Sequence, residues 1–409
     1  MSRIGSSRLW GKITVLIAVC GWGLSAQAKY AGGSGTVAEP FRITAVSDWQ
    51  ELMATPADWA RHFVLTGDLD LDGVLLSPVG NYSKKFTGVF DGNDCIIRNA
   101  DVNMPAGEYV GLFGYLQTGG QIRNLGVEDA SIVGRNYVGG LVGINSGTMT
   151  NCYSTGNVTA DGGVGGLVGE NDGAISNCYS SGSLCGYEVI GGLAGLNYTG
   201  TISNCYSTGS VSGTNNVGGL VGFNYAGTIT NCYSSGSVSS DEYVGGLVGW
   251  HFGTISNCYS TGSVSGDSVV GGLVGFNDGI VSDAFWDVNT SGWTTSAGGT
   301  PKTTVQMKTQ STFTSARWDF IGETANGTGD IWAICEGTNY SRLVWQIPQG
   351  DIVCPDGVNG LDYSALARYW HETECAALHD CEGADIDLSG AVDFGDVAAV
   401  AESWLRDAR

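Results

Sequence analysis

The string Val-Gly-Gly-Leu-Val-Gly recurs at Val138, Val164, Val217, Val244 and Val270, with variants starting at Val110 and Ile190, so seven units begin 26 to 28 residues apart. A second string, Asn-Cys-Tyr-Ser, follows at a fixed offset and places Cys152, Cys178, Cys205, Cys232 and Cys258 in one series. Repetition this regular requires one structural unit used many times. Within a unit the apolar runs, such as Val217 to Phe223 and Thr228 to Tyr233, are short and separated by Gly, Asn and Ser. Such lengths suit strands rather than helices. A unit of this size cannot close a core alone, so successive units must stack as coils whose strands pair in parallel. The expected fold is an all-β, right-handed parallel β-helix, or solenoid, rising about 4.8 Å per coil. Leu141, Leu167, Leu193, Leu220, Leu247 and Leu273 should form one internal ladder, and Ile175, Ile202, Ile229 and Ile255 another.

Composition agrees with a folded coil stack. Glycine supplies 66 of 409 residues but proline only 7, which points to close-packed backbone rather than a loose linker. The formal charge of −22 argues against nucleic acid as a partner, because phosphate binding rests on clustered Lys and Arg. Residues 1–28 carry Arg3, Arg8 and Lys12, an apolar run from Ile13 to Leu24 and the sequence Ala26-Gln27-Ala28. That pattern predicts a signal peptide and export, with an apolar run too short to span a membrane.

The repeat resembles the GLUG motif of bacterial secreted and surface proteins, over residues 110–286. The resemblance implies that residues 29–109 form an N-terminal cap with leading coils and that residues 287–350 form a closing cap. Caps are needed because an open end exposes unpaired strand edges.

Three side-chain series suggest roles inside the coils. The five repeat cysteines are expected to be buried, reduced thiols, since in-register stacking gives geometry unsuited to disulfides. The Asn beside each Cys is expected to form an amide ladder. Tyr153, Tyr179, Tyr206, Tyr233 and Tyr259 form an aromatic stripe that either packs or docks a polysaccharide or cell-surface glycan.

Beyond residue 350 the pattern changes. From Asp385 the chain reads Asp-Ile-Asp-Leu-Ser-Gly-Ala-Val-Asp-Phe-Gly-Asp, with oxygen-bearing side chains at positions 1, 3, 5, 9 and 12 and Gly390 at 6. This is the spacing of a calcium loop: Asp385, Asp387, Ser389, the Ala391 carbonyl, Asp393 and Asp396 would supply the oxygens. A degenerate copy upstream contains Asp356, Asn359 and Asp362, and each loop precedes an apolar-periodic segment. Two such half-loops, each followed by a helix, resemble the dockerin family. The resemblance implies a small all-α module over residues 351–409, Ca2+ as its cofactor and a cohesin-like partner facing Gly360, Leu361, Phe394 and Gly395. Cys335, Cys354, Cys375 and Cys381 leave the disulfide pairing open.

Catalysis is not expected. Between Arg135 and Lys302 there is no Lys or Arg, which removes the cationic groups of a polysaccharide lyase. Glu170, Asp172, Asp241, Glu242 and Asp278 lie beside turn residues and carry no glycosidase motif, although two of them could form a carboxylate pair. The expected function is that of an extracellular scaffold or adhesion protein, and the alternative a carbohydrate-binding or polysaccharide-degrading β-helix.

Overall fold

The computed structural model describes residues 29–407, apart from 352, 355–357, 371, 374, 376–383, 388 and 390. The expected signal peptide lies outside the described residues.

The coil stack is present and every inter-coil pairing within it is parallel. One sheet consists of seven strands, Phe113–Leu116, Val142–Asn145, Val168–Asn171, Ala194–Asn197, Val221–Asn224, Val248–His251 and Val274–Asn277. Their register equates Val142 with Val168, Val168 with Ala194 and Ala194 with Val221, so each coil lies directly above its neighbour. The remaining strands of each coil pair the same way, for example Ile175 with Ile202 and Ile202 with Ile229. The Leu and Ile ladders are fully buried at 0% exposure from Leu141 to Leu273 and from Ile175 to Ile255.

The local chemistry explains the repeated letters. Asn151, Asn177, Asn204, Asn231 and Asn257 all have φ between 50° and 54°, the left-handed region that Asn tolerates better than most side chains. The glycine pair is excluded from bearing side chains by the neighbouring coil: a Cβ on Gly219 would lie 2.1 Å from Ser234 Oγ and 2.2 Å from the Gly246 carbonyl. The cysteines do more than fill space. The backbone N–H of Cys178 donates to Sγ of Cys205 at 3.4 Å, while Sγ of Cys178 donates to the Ser176 carbonyl at 3.1 Å. The same pair of bonds repeats at Cys205 and Cys232. All five thiols are free and buried, and burial pushes those of Cys152, Cys178, Cys205 and Cys232 well above the ordinary thiol range.

Two amide ladders run along the coils. The expected one, beside the cysteines, forms only at its N-terminal end, where Asn177 donates to Asn151 and Asn151 to Asn124; it does not reach Asn204, whose buried Oδ1 accepts no bond among the described residues. The second is internal: Asn145, Asn171, Asn197 and Asn224 are each 0% exposed, and each of the first three donates to the next at 2.8–2.9 Å. It ends on His251, which replaces Asn in the next coil.

Both ends are closed. At the N-terminal end the helix Val46–Ala54 buries Trp49 and Leu52, and Trp49 meets Phe90 and Phe113 edge to face. At the other end Ser296 Oγ accepts the N–H groups of Leu273 and Val274, and the Thr295 carbonyl accepts that of Gly272. The last strand of the seven-stranded sheet is thereby capped at its start, which blunts that edge. The expected closing cap accordingly divides in two: residues near 293–302 stop the stack, while residues 304–347 fold back along its side.

Candidate metal centre and aromatic stripe

The helix Phe394–Asp407 begins immediately after the acidic loop. Its first turn contains Asp396, which is 0% exposed and acts as the hub: Oδ1 accepts the N–H groups of Ile386 at 2.6 Å and Asp387 at 3.2 Å, and Oδ2 accepts that of Asp393 at 2.8 Å. The Ser389 N–H donates to both Asp385 and Asp387 at 3.0 Å, and the Ser389 hydroxyl donates to the Ala391 carbonyl at 3.1 Å. These bonds bend the loop so that one carboxylate oxygen each from Asp385, Asp387 and Asp396 lie within 4.8 Å of one another. Three carboxylates this close repel unless a cation lies among them, and an all-oxygen donor set suits a hard ion such as Ca2+. The residues present therefore fit the ion. Asp393 is exposed and its Oδ1 accepts the Gly395 N–H at 2.7 Å. Gly390 lies outside the described residues.

The upstream loop is built on the same plan. Asp362, also 0% exposed, accepts the N–H of Val353 at 2.9 Å and of Asn359 at 2.8 Å, and Asn359 accepts that of Leu361 at 2.8 Å. Residues 353, 359 and 362 thus play the parts of 387, 393 and 396, a constant offset of 34. The same offset pairs Asp351 with Asp385, a first-position carboxylate that the sequence reading passed over. It also pairs Asp356, named above as a candidate ligand, with Gly390 at the turn; Asp356 lies outside the described residues. Val353 stands where Asp387 does and offers no side-chain oxygen.

The two helices, Gly360–Arg368 and Phe394–Asp407, share a small core with Val358, Leu366, Val392 and Val400. At their starts Leu361 is 60% and Phe394 76% exposed, Gly360 is exposed and Gly395 partly so. A disulfide between Cys335 and Cys354 fastens this region to the folded-back segment, and Gln349 Nε2 donates to the Ile386 carbonyl at 3.2 Å. Cys375 is also disulfide-bonded, and Cys381 lies outside the described residues.

The tyrosine stripe is a ladder of rings with centroids 4.8–5.0 Å apart and planes within 8° of parallel. Most of it is already occupied. Met307, Phe313, Trp318, Trp332 and Leu343 of the folded-back segment cluster with Tyr233 and Tyr259, which are 7% and 2% exposed. Tyr259 Oη donates to the Ser341 carbonyl at 2.5 Å, Tyr233 Oη bonds Gln346, and Trp345 lies 5.7 Å from Tyr206. Tyr233 and Tyr259 are thus removed from the glycan stripe by the chain's own cap. Rings stacked face to face also present only their edges, which leaves Tyr153, Tyr179 and Tyr206 without the open face that a sugar packs on. Their signal in sequence was periodicity, which does not say what covers a face.

The GLUG motif is matched at residues 134–159, 160–184, 186–212, 213–239 and 240–265. Halomucin of Haloquadratum walsbyi is 33% identical over 138 residues, 32% of this chain and 2% of that protein. A protein of Evansella cellulosilytica, named as a candidate Gly-rich membrane protein, is 31% identical over 138 residues, 32% of this chain and 16% of its own length. The chain therefore spans only a small part of these relatives. In fold it is similar to the crystal structure of a candidate immunoglobulin A1 protease from Bacteroides ovatus, with a TM-score of 0.57 and 23% identity over 77% of this chain and 95% of that one. This likeness corrects the expectation that the chain is not an enzyme: a solenoid of this architecture carries a protease name, so the fold gives no ground for denying catalysis. Among the described residues no helix is long and apolar enough to cross a membrane.

Proposed function

We propose that this chain of five GLUG motifs is a secreted or surface-displayed rod that is anchored to a cohesin-like partner by a calcium-loaded module at its C-terminal end. The observation that carries the reading is the convergence of Asp385, Asp387 and Asp396 at the start of a helix. Two further facts support it: the second loop repeats the same hydrogen-bond plan, and each helix start exposes one large apolar side chain, Leu361 in one and Phe394 in the other, at adjacent rather than identical positions of the two loops. When bound, Ca2+ would be held by Asp385, Asp387, Ser389, the Ala391 carbonyl, Asp393 and Asp396, and would supply the positive charge that three converging carboxylates lack. The protein's own part is to hold Asp396 rigidly through three backbone N–H groups and to set Phe394 outward. The coil stack has its own core and is indifferent to the ion.

Calorimetric titration of the full chain with calcium tests the reading. One strong site is expected, lost in Asp385→Ala with Asp396→Ala. Two equal sites would show that Asp351, Asn359 and Asp362 hold a second ion despite Val353, and no heat of binding would remove the docking reading.

A further inference from the structure

The seven-stranded sheet has an outer face that the folded-back segment leaves open. One residue per coil lies between a Gly and a ladder position, and the register of this column runs from Ile144, which is buried, through Glu170, Leu196, Phe223 and Trp250 to Phe276. Two residues further along each coil stand Tyr198, Tyr225 and Phe252. Tyr198 and Tyr225 are 45% and 46% exposed, Phe252 and Phe276 each 36%, and none of these aromatics belongs to a buried cluster.

The rings form one continuous surface. Centroids lie 5.0 Å apart for Tyr198 and Tyr225, 5.5 Å for Phe223 and Trp250, 5.8 Å for Trp250 and Phe252, and 6.1 Å for Phe252 and Phe276. Unlike the tyrosine ladder, most are not parallel: Phe223 lies at 84° to Tyr225, Tyr225 at 67° to Phe252 and Trp250 at 75° to Phe276. Tyr243 stacks on Trp250 at 10° and Tyr198 on Tyr225 at 5°, which takes one face of each, but the tilted rings at the rim, Phe252 and Phe276, and the outer side of Tyr225 stay exposed.

The dimensions and charge select the occupant. Two side chains wide and four coils long, the surface measures roughly 10 by 20 Å, far below the ~800 Å² per partner of a stable protein interface. It suits a narrow linear polymer lying along the rod, and the rise of about 4.8 Å per coil is close to the length of one pyranose ring. Carboxylates mark its ends, Glu170 and Asp172 in the coil before Tyr198, and Asp278 in the last coil, and no Lys or Arg lies between Arg135 and Lys302. Gly163 stands where adjoining coils have Tyr137 and Val189, and a cavity of about 300 Å³ opens there, lined also by Asn136, Glu188 and Leu196 of the outward column. Burial and the neighbouring Asp172 push the Glu170 carboxyl up to about 7. The notch therefore offers hydrogen-bonding groups next to the aromatic surface.

We propose that this face binds a polysaccharide of uncharged or amine-bearing sugars, the pyranose faces packing on Tyr225, Phe252 and Phe276, with Trp250 as the support beneath them, and the polar notch at Gly163 receiving hydroxyl or amine groups. Anionic polysaccharides are rejected by the carboxylates.

Co-sedimentation of the full chain with insoluble cellulose, insoluble chitosan and alginate beads tests this. Wild-type protein should pellet with cellulose or chitosan and not with alginate, equally in calcium and in chelator, so the outcome is separable from calcium docking. Trp250→Ala with Phe252→Ala should lower the bound fraction at least tenfold. Tyr198→Ser with Tyr225→Ser, at largely exposed positions, supplies a second variant should the first misfold by far-UV circular dichroism. Failure to pellet with either neutral or amine-bearing polymer, preference for alginate, or unchanged binding by a folded variant would overturn the proposal. So would a dimer in sedimentation velocity that both variants abolish, since the occupant would then be a second copy.

Discussion

Asn224 Nδ2 donates to His251 Nδ1 at 3.0 Å in the core of the coil stack, and His251 Nε2 lies 3.2 Å from the Ile280 carbonyl. A carbonyl can only accept, so Nε2 carries the proton and Nδ1 is the acceptor of the amide ladder. The ring must be neutral to serve both partners. Burial lowers its pKa from the ordinary 6.5 to about 4.

This histidine predicts acid sensitivity. Between about pH 6.5 and 4 the unfolded chain binds the proton and the folded chain does not, so stability falls as the pH drops through that window and levels off below it. The shift corresponds to about 3 kcal/mol. Denaturant unfolding at pH 7 and pH 4.5 should show the loss in wild type and a much smaller one in His251→Asn, which restores the amide of the other coils. Equal pH dependence in both would place the sensitivity elsewhere.

The cysteine ladder predicts a thiol titration. Cys152, Cys178, Cys205, Cys232 and Cys258 should resist a thiol reagent in native protein and label fully in denaturant without reductant. Replacing Cys205 by Ala removes an acceptor for Cys178 N–H and should cost about 1–3 kcal/mol, whereas Ser at the same place brings a stronger hydrogen-bonding group into an apolar ladder. Failure to label after denaturation would show disulfides.

Coil deletion should depend on where it falls. Removing residues 138–163 takes out one coil on the open side and should leave a folded rod, because coils contact mainly their neighbours. Removing residues 217–243 deletes Tyr233, to which Gln346 is hydrogen bonded. That variant should keep its β circular dichroism but lose protease resistance across 304–347. Identical digestion of the two would refute the fold-back as a register-dependent contact.

The Cys335 to Cys354 bond predicts how the C-terminal region is held. Cys335→Ser with Cys354→Ser should speed proteolysis after residue 350 and leave residues 29–334 resistant. Added calcium should slow that cleavage by stabilising the loaded state as RT ln(1 + [Ca]/Kd). Unchanged cleavage rates would mean that Gln349 and the packing around it suffice.

Much of this was legible from the repeat alone, because the Leu141 series recurs throughout and the Ile175 and Cys178 series in four and five successive coils, and a stacked register makes recurrence visible. The outward column was not, since Glu170, Leu196, Phe223 and Trp250 share a position without sharing a chemistry. Nor was the fold-back: residues 304–347 contain no repeat, and what they cover depends on a long-range contact. The metal loop was readable from spacing, while Asp351 gives no such signal because its loop lacks the oxygens at positions 3 and 5, and only the offset of 34 between the folded loops sets it opposite Asp385.

The segment that lies across Tyr206, Tyr233 and Tyr259 spans three successive coils and contacts each one differently. It acts as a gauge. Duplication of a coil by recombination is harmless where nothing measures the spacing, but on this stretch it would displace Trp345, Gln346 or Ser341 from its mate. Lengthening in descent is therefore confined to the half nearer Trp49, and related rods should vary in coil number there while keeping the measured half constant.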